Sequence, residues 1–197
     1  LIVIIALLAL NLPSVKNFGE IEFWFAMIKI VAICALIIVG AIMVATSFTT
    51  PSGAHAQVAN LWNDGGFFPN GTTGFLGAFQ IAVFAFMGSE LVGTTAAETQ
   101  NPTVTLPKAI NSVPVRILIF YVGALIVILM VNPWREIDPA KSPFVTMFTL
   151  AGIAIAAHIV NVVVLTSATS SANSGIFSTS RMVYGLSQEG YAPKFLG

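Results

Sequence analysis

Charge is what this chain has least of. Lys, Arg, Asp and Glu make up 8% of its 197 residues, against about 25% in a soluble domain. Eight basic residues balance eight acidic ones, so there is no basic field to attract nucleic acid. With 56% hydrophobic residues and a mean hydropathy of +0.90, too little polar surface remains to face water. Composition specifies an integral membrane protein with the lipid bilayer as its solvent, and the long apolar runs make the expected fold all-α. Cysteine is nearly absent as well. Cys34 stands alone in an apolar run, so it forms no intrachain disulfide and says nothing about compartment. The two histidines, His55 and His158, fall in different environments, and no metal site is expected. The only aspartates, Asp64 and Asp138, sit in polar loops, which leaves a membrane aspartyl protease without a catalytic pair. His-Glu-x-x-His and Gly-x-Ser-x-Gly patterns are missing, so neither an enzyme nor a cofactor is expected. Internal repeats with periods of about 20–50 residues are missing too, which excludes solenoids and propellers.

What is present is a succession of apolar runs. They cover 23–46, 74–97, 113–132 and 144–172, after a partial one over 1–13, so about five membrane helices are expected. The stretch Phe23–Ala45 alone would be about 34 Å long as a helix, enough for a hydrocarbon core of about 30 Å. The opening Leu1–Leu10 lacks the basic flank and cleavage site of a signal peptide. It reads as the tail of a spanning helix in a larger protein, with further membrane segments on both sides. The loops 46–73, 98–107 and 132–143 separate the runs, the second stopped by Pro102 and Pro107. Lys16, Lys108, Arg116, Arg181 and Lys194 fall on one side of the membrane, and Arg135 and Lys141 on the other. The richer side is cytoplasmic by the positive-inside rule. Asn70-Gly-Thr72 fits a glycosylation sequon on the outer side, a pattern that also arises by chance.

The few polar residues inside the runs are the candidates for function. Glu90 lies deep in an apolar stretch, with Gly88 two residues before it and Gly93 three after. A carboxylate in hydrocarbon costs about 2.5–3.5 kcal/mol on insertion scales, and glycines lower the penalty for leaving helical geometry. A costly acid beside a weak point in a membrane helix marks a transporter binding site; the competing reading is a buried carboxyl that only holds helices together. Lys29 lies about 9 Å along its helix from the cytoplasmic end. Its stem can snorkel to the headgroups, or its ammonium can stand where a coupling cation sits. Glu22 is seven residues earlier on the same face, at the level of the interface. The run Thr166–Ser180 is dense in small and hydroxyl residues, which let helices approach closely; one or two of its hydroxyls could instead face a cavity or an ion. His158 and Asn161 share one face and are expected to satisfy each other or a neighbouring backbone.

Several of these motifs together resemble a known family. Phe84-Ala-Phe-Met-Gly-Ser-Glu90, with Glu98-Thr-Gln-Asn-Pro102 and Pro107-Lys-Ala-Ile110, is similar to the sixth-helix region and following loop of amino acid permeases of the amino acid–polyamine–organocation superfamily. Ser171-Ala-Asn-Ser-Gly175 and its continuation through Leu186 resemble that family's eighth helix and the cytoplasmic helix after it. Phe18-Gly-Glu-Ile-Glu22 through Lys29 resembles the start of its fifth helix.

The resemblance implies a fragment of a twelve-helix transporter in which ten helices form two inverted five-helix repeats. The whole chain, 1–197, would be a single partial transmembrane domain. It would hold the end of helix 4 (1–13), helices 5 to 8 (23–46, 74–97, 113–132 and 144–172) and a cytoplasmic helix (174–188). Helix 6 would be unwound where Phe84, Ala85, Phe86, Met87, Gly88, Ser89 and Glu90 bind the substrate, with Phe84 as an aromatic gate. Lys29 would replace the sodium ion of related carriers and meet hydroxyls of helix 8, with Ser167, Ser170 and Glu90 sharing the coupling role. The implied activity is proton-coupled import of small neutral amino acids (glycine, D-alanine, D-serine) by alternating access in the bacterial plasma membrane. Its partners would be the amino acid, protons and lipid, with no cofactor and no metal. The alternatives are a permease for aromatic, basic or γ-aminobutyrate substrates, a non-transporting amino acid sensor, and a channel. The residues carry no signature of an oligomeric state.

Overall fold

The computed structural model describes residues 5, 15–88, 93, 99, 101–153 and 155–196. Among them the chain is helical and contains no strand; Thr49 and His55 form an isolated bridge. The helices are α1 (Val15–Ala45), α2 (Gly71–Ala82), α3 (Pro102–Arg116), α4 (Gly123–Val131), α5 (Pro143–Leu150) and α6 (Ala156–Gln188). A π-helical stretch, Ile117–Val122, joins α3 to α4. Among the described residues two helical stretches are long and apolar enough to cross a bilayer, Gly19–Ala45 and Pro102–Val131. The first of these, 27 residues long, would reach about 40 Å.

Contacts divide the chain into two compact units. Unit one is Leu1–Lys29, Gly88–Ser112 and Val163–Gly197; unit two is Ile30–Met87 and Val113–Val162. The core of unit two is built by Leu36 and Met43 of α1, Val127 and Val131 of α4, Met147 of α5 and Val160 of α6. In lipid, apolar contact between helices gains no hydrophobic driving force, so shape complementarity carries the packing. Gly40 shows this. A Cβ there would overlap the side chains of Val127 and Met147. The loop before α2 is tied to the same unit by Asn60. Its amide nitrogen donates to the carbonyls of His55 and Met130, both at 2.8 Å, and its oxygen accepts from Gln57 at 3.2 Å. Trp134 adds a bond from its indole nitrogen to the Asp64 carbonyl at 3.2 Å.

Three of the differences between the helix boundaries and the sequence expectation have a clear local cause. The run 144–172 is not one helix. α5 ends at Leu150 and α6 begins at Ala156. Gly152 (φ +82°) closes α5, the Gly152 amide bonding to Thr149 at 2.9 Å and the Ile153 amide to Phe148 at 3.0 Å. That is the Schellman arrangement of a helix C-terminus, and it needs the left-handed φ that glycine allows. The second difference is the absence of a break near 173. α6 continues through Gly175 to Gln188, since one glycine inside a helix costs only about 1 kcal/mol. The third is Pro102, expected in a loop. It opens α3 just after Asn101 (φ +50°), at the first helical position, where a missing N–H removes no bond. The stretch 1–13, apart from Ile5, lies outside the described residues.

Candidate functional site

A chain of hydrogen bonds within unit one joins α1 to α6. The Lys29 ammonium donates to the Ser170 hydroxyl at 2.9 Å. Ser170 donates to Glu22 Oε2 at 2.6 Å, and the Asn173 amide donates to Glu22 Oε1 at 2.8 Å. Helix geometry explains the meeting. Glu22 and Lys29 are two turns apart on α1, and Ser170 and Asn173 are one turn apart on α6, so each pair lies on one face. Ser170 and Asn173 are 2% and 1% exposed, while Glu22 and Lys29 are partly buried. A hydroxyl has one proton to give. Ser170 gives it to the carboxylate and turns its lone pairs to the ammonium. The two charged groups form no direct ion pair; the serine stands between them. Hydrogen bonds to charged groups contribute about 1.5–3 kcal/mol each where water is excluded.

The other hydroxyls expected to meet Lys29 behave differently. Thr166 and Thr169 bond back to their own helix, at the carbonyls of Val163 (2.9 Å) and Leu165 (2.8 Å). Ser167 is partly buried and is not among the described partners of Lys29. His158 and Asn161 are both exposed. Sequence reasoning did not place Asn173 in the site, and it left Glu22 at the level of the interface. The only signal for Glu22 was its seven-residue spacing from Lys29.

The segment expected to bind substrate begins where α2 ends. The α-helix stops at Ala82, Val83–Ala85 form a 3-10 turn, and the Phe86 amide bonds to Val83 at 3.0 Å. Gly88 follows with φ +91°, a conformation that side chains with a Cβ rarely adopt. The apolar run thus leaves α-helical geometry at 83–88. Phe84, Phe86 and Met87 are 68%, 58% and 62% exposed. Ala85 is described only in its backbone, and Ser89 and Glu90 lie outside the described residues. Among the described residues no group of three or more His, Cys, Asp or Glu side chains converges to hold a metal.

Two long apolar helical stretches among the described residues, and a charged pair tied together by neutral side chains, mark a helical membrane protein. The chain belongs to the amino acid permease family, whose model, described as Amino acid permease, matches residues 1–197. It is 65% identical over 194 residues to the D-serine/D-alanine/glycine transporter of Escherichia coli (strain K12), a match covering 98% of this chain and 41% of the relative. The Amino-acid permease AapA of Bacillus subtilis (strain 168) is 56% identical over 196 residues, 100% of this chain and 42% of the relative. The Aromatic amino acid transport protein AroP of Escherichia coli O6:H1 is 50% identical over 188 residues, 95% of this chain and 41% of the relative. The chain therefore spans about two fifths of the length of the curated relatives it matches. No solved structure is significantly similar to it.

Proposed function

We propose that this chain is part of a proton-coupled secondary transporter that imports small neutral amino acids, glycine, D-alanine and D-serine, across a bacterial plasma membrane by alternating access. The observation that carries the reading is the Lys29–Ser170 hydrogen bond. An ammonium in a membrane helix costs about 2.5–3.5 kcal/mol. Here it is aimed across to a second helix, at a buried hydroxyl. A fixed cation that bridges two helices, and can lose its charge to a proton acceptor, does the work of a bound coupling ion. Ser167 stands as a further α6 hydroxyl in the same coupling role, three residues before Ser170. The segment Phe84–Glu90 supplies the substrate side. The departure from helix at 83–88 supports it, because a membrane helix leaves its geometry where protein or a wet cavity can satisfy the backbone. Glu90 completes that segment by sequence and shares the coupling.

The substrate class rests on the 65% identity to the D-serine/D-alanine/glycine transporter, against 50% to the aromatic transport protein, which keeps an aromatic substrate as the second reading. The test uses the full-length protein in proteoliposomes with an inward proton gradient. Labelled glycine is expected to accumulate and to be displaced by D-alanine and D-serine but not by phenylalanine or lysine. Displacement by phenylalanine alone would replace the substrate assignment. Binding without counterflow would replace the transporter by a sensor, and flux that does not saturate would replace it by a channel.

A further inference from the structure

Within unit two, the turn between α4 and α5 borders a cavity of about 110 Å³. It belongs to the loop 132–143, on the side that the scarcity of basic residues makes external. Side chains of both charges line it, Glu136, Asp138 and Lys141. Local structure sets them in place. Asp138 Oδ1 accepts from the Ala140 amide at 2.9 Å, and the Lys141 amide bonds to the Asp138 carbonyl at 3.0 Å. Pro139 has the fixed φ that the second position of such a turn favours. From the neighbouring loop, the Ser52 hydroxyl donates to Glu136 Oε2 at 2.6 Å, which orients that carboxylate. The Lys141 ammonium stands 3.5 Å from Asp138 Oδ2, with 73% and 46% of the two side chains exposed. So exposed a pair contributes little to stability, and a ligand can part it at small cost. Deeper in, the buried side chains of Ile128 and Met147 add apolar lining.

We infer that this cavity is an outer binding site for a small α-amino acid in its zwitterionic form. The ligand carboxylate meets Lys141, its ammonium meets Glu136 and Asp138, and its short side chain lies toward Ile128 and Met147. Bonds between ionised partners are the strong ones. A ligand with one charge leaves the opposite charge of the cavity unmet. Size sets the second limit. An enclosed cavity of about 150 Å³ takes benzene, so this smaller one has room for glycine or alanine and none for the ring of phenylalanine. The site shares no residue with the segment Phe84–Glu90. The ligand class follows from the cavity; its use as a first stop for substrate rests on the transport function proposed above.

The test is protection of a cysteine placed in the cavity. Thr146 lines it, and its own hydroxyl bonds only to the Ser142 carbonyl of the same helix turn, at 3.3 Å. Thr146→Cys is introduced into the full-length protein with its other cysteines replaced, Cys34 among them, and reconstituted in vesicles with the outer face outward. Labelling by a membrane-impermeant maleimide is then timed. Glycine and D-alanine are expected to slow it, and acetate, methylamine and phenylalanine at equal concentration are expected not to. Adding Lys141→Ala is expected to raise the glycine concentration for half-protection about tenfold, the worth of one hydrogen bond to a charged group. Labelling that glycine does not slow would overturn the inference, and so would a cysteine that the reagent does not reach from outside. Equal protection by methylamine would overturn the zwitterion and leave an acidic surface for any cation. Half-protection unmoved by Lys141→Ala would overturn it as well, since protection then comes from a conformational change set off elsewhere. Where Thr146→Cys gives no inserted protein, Asn132→Cys, at another lining position, is read in the same way. Labelled-glycine uptake is measured on the same vesicles. Uptake without protection sinks the outer site and leaves the transport function standing. Protection without uptake keeps the site and removes the transport function.

Discussion

Asn60 is a buried amide whose two N–H groups both find carbonyls, those of His55 and Met130. One side chain closes the loop before α2 onto the end of α4. Asn60→Ala removes both bonds, and a loss of about 1–3 kcal/mol is expected from the usual worth of a hydrogen bond. Thermal denaturation of the detergent-solubilised full-length protein measures it; an unchanged melting temperature would show that the loop is held elsewhere. The same scale shows what a sequence can reveal about single residues. Lys29 was legible because a charge inside an apolar run stands out against its neighbours. Ser170 was legible only as one of many hydroxyls between Thr166 and Ser180. Periodicity put Glu22 on the face of Lys29 but could not say which helix that face meets. The carboxylate's partners, Ser170 and Asn173, lie 148 and 151 residues away. Such separation leaves no local trace.

Among the elements, the interrupted stretch after α2 carries the substrate side of the proposal. Gly88 adopts φ +91°, a conformation that an L side chain rarely takes. Gly88→Ala therefore tests that backbone conformation. A left-handed φ costs an L-residue about 1–2 kcal/mol, so glycine uptake is expected to fall roughly tenfold with insertion into the membrane intact. Uptake at the wild-type level would show that this turn is not used in the transport cycle. The weak point was visible from the sequence because Gly88 and Glu90 interrupt an apolar run. The ends of α5 and α3 were not. Gly152 looked like one more small residue in a membrane span, although its amide and that of Ile153 cap α5. Pro102 looked like a loop residue, although the first turn of a helix accepts proline without losing a bond.

The whole molecule was legible in class and family and less so in arrangement. Scarce charge and long apolar runs specify a helical membrane protein from composition, and linked motifs specify the amino acid permease family, which the family model matches over residues 1–197. Two apolar stretches, Gly19–Ala45 and Pro102–Val131, reach spanning length among the described residues. Hydropathy counts apolar residues, and it does not register a Schellman turn in the middle of a run. The account of transport turns on Lys29 as the group that carries the coupling charge. Proton-driven accumulation of labelled glycine by full-length Lys29→Ala protein, normalised to the amount inserted in proteoliposomes, tests it most directly. The account predicts that glycine no longer rises above its equilibrium concentration when a proton gradient is imposed. Accumulation at the wild-type level would contradict it.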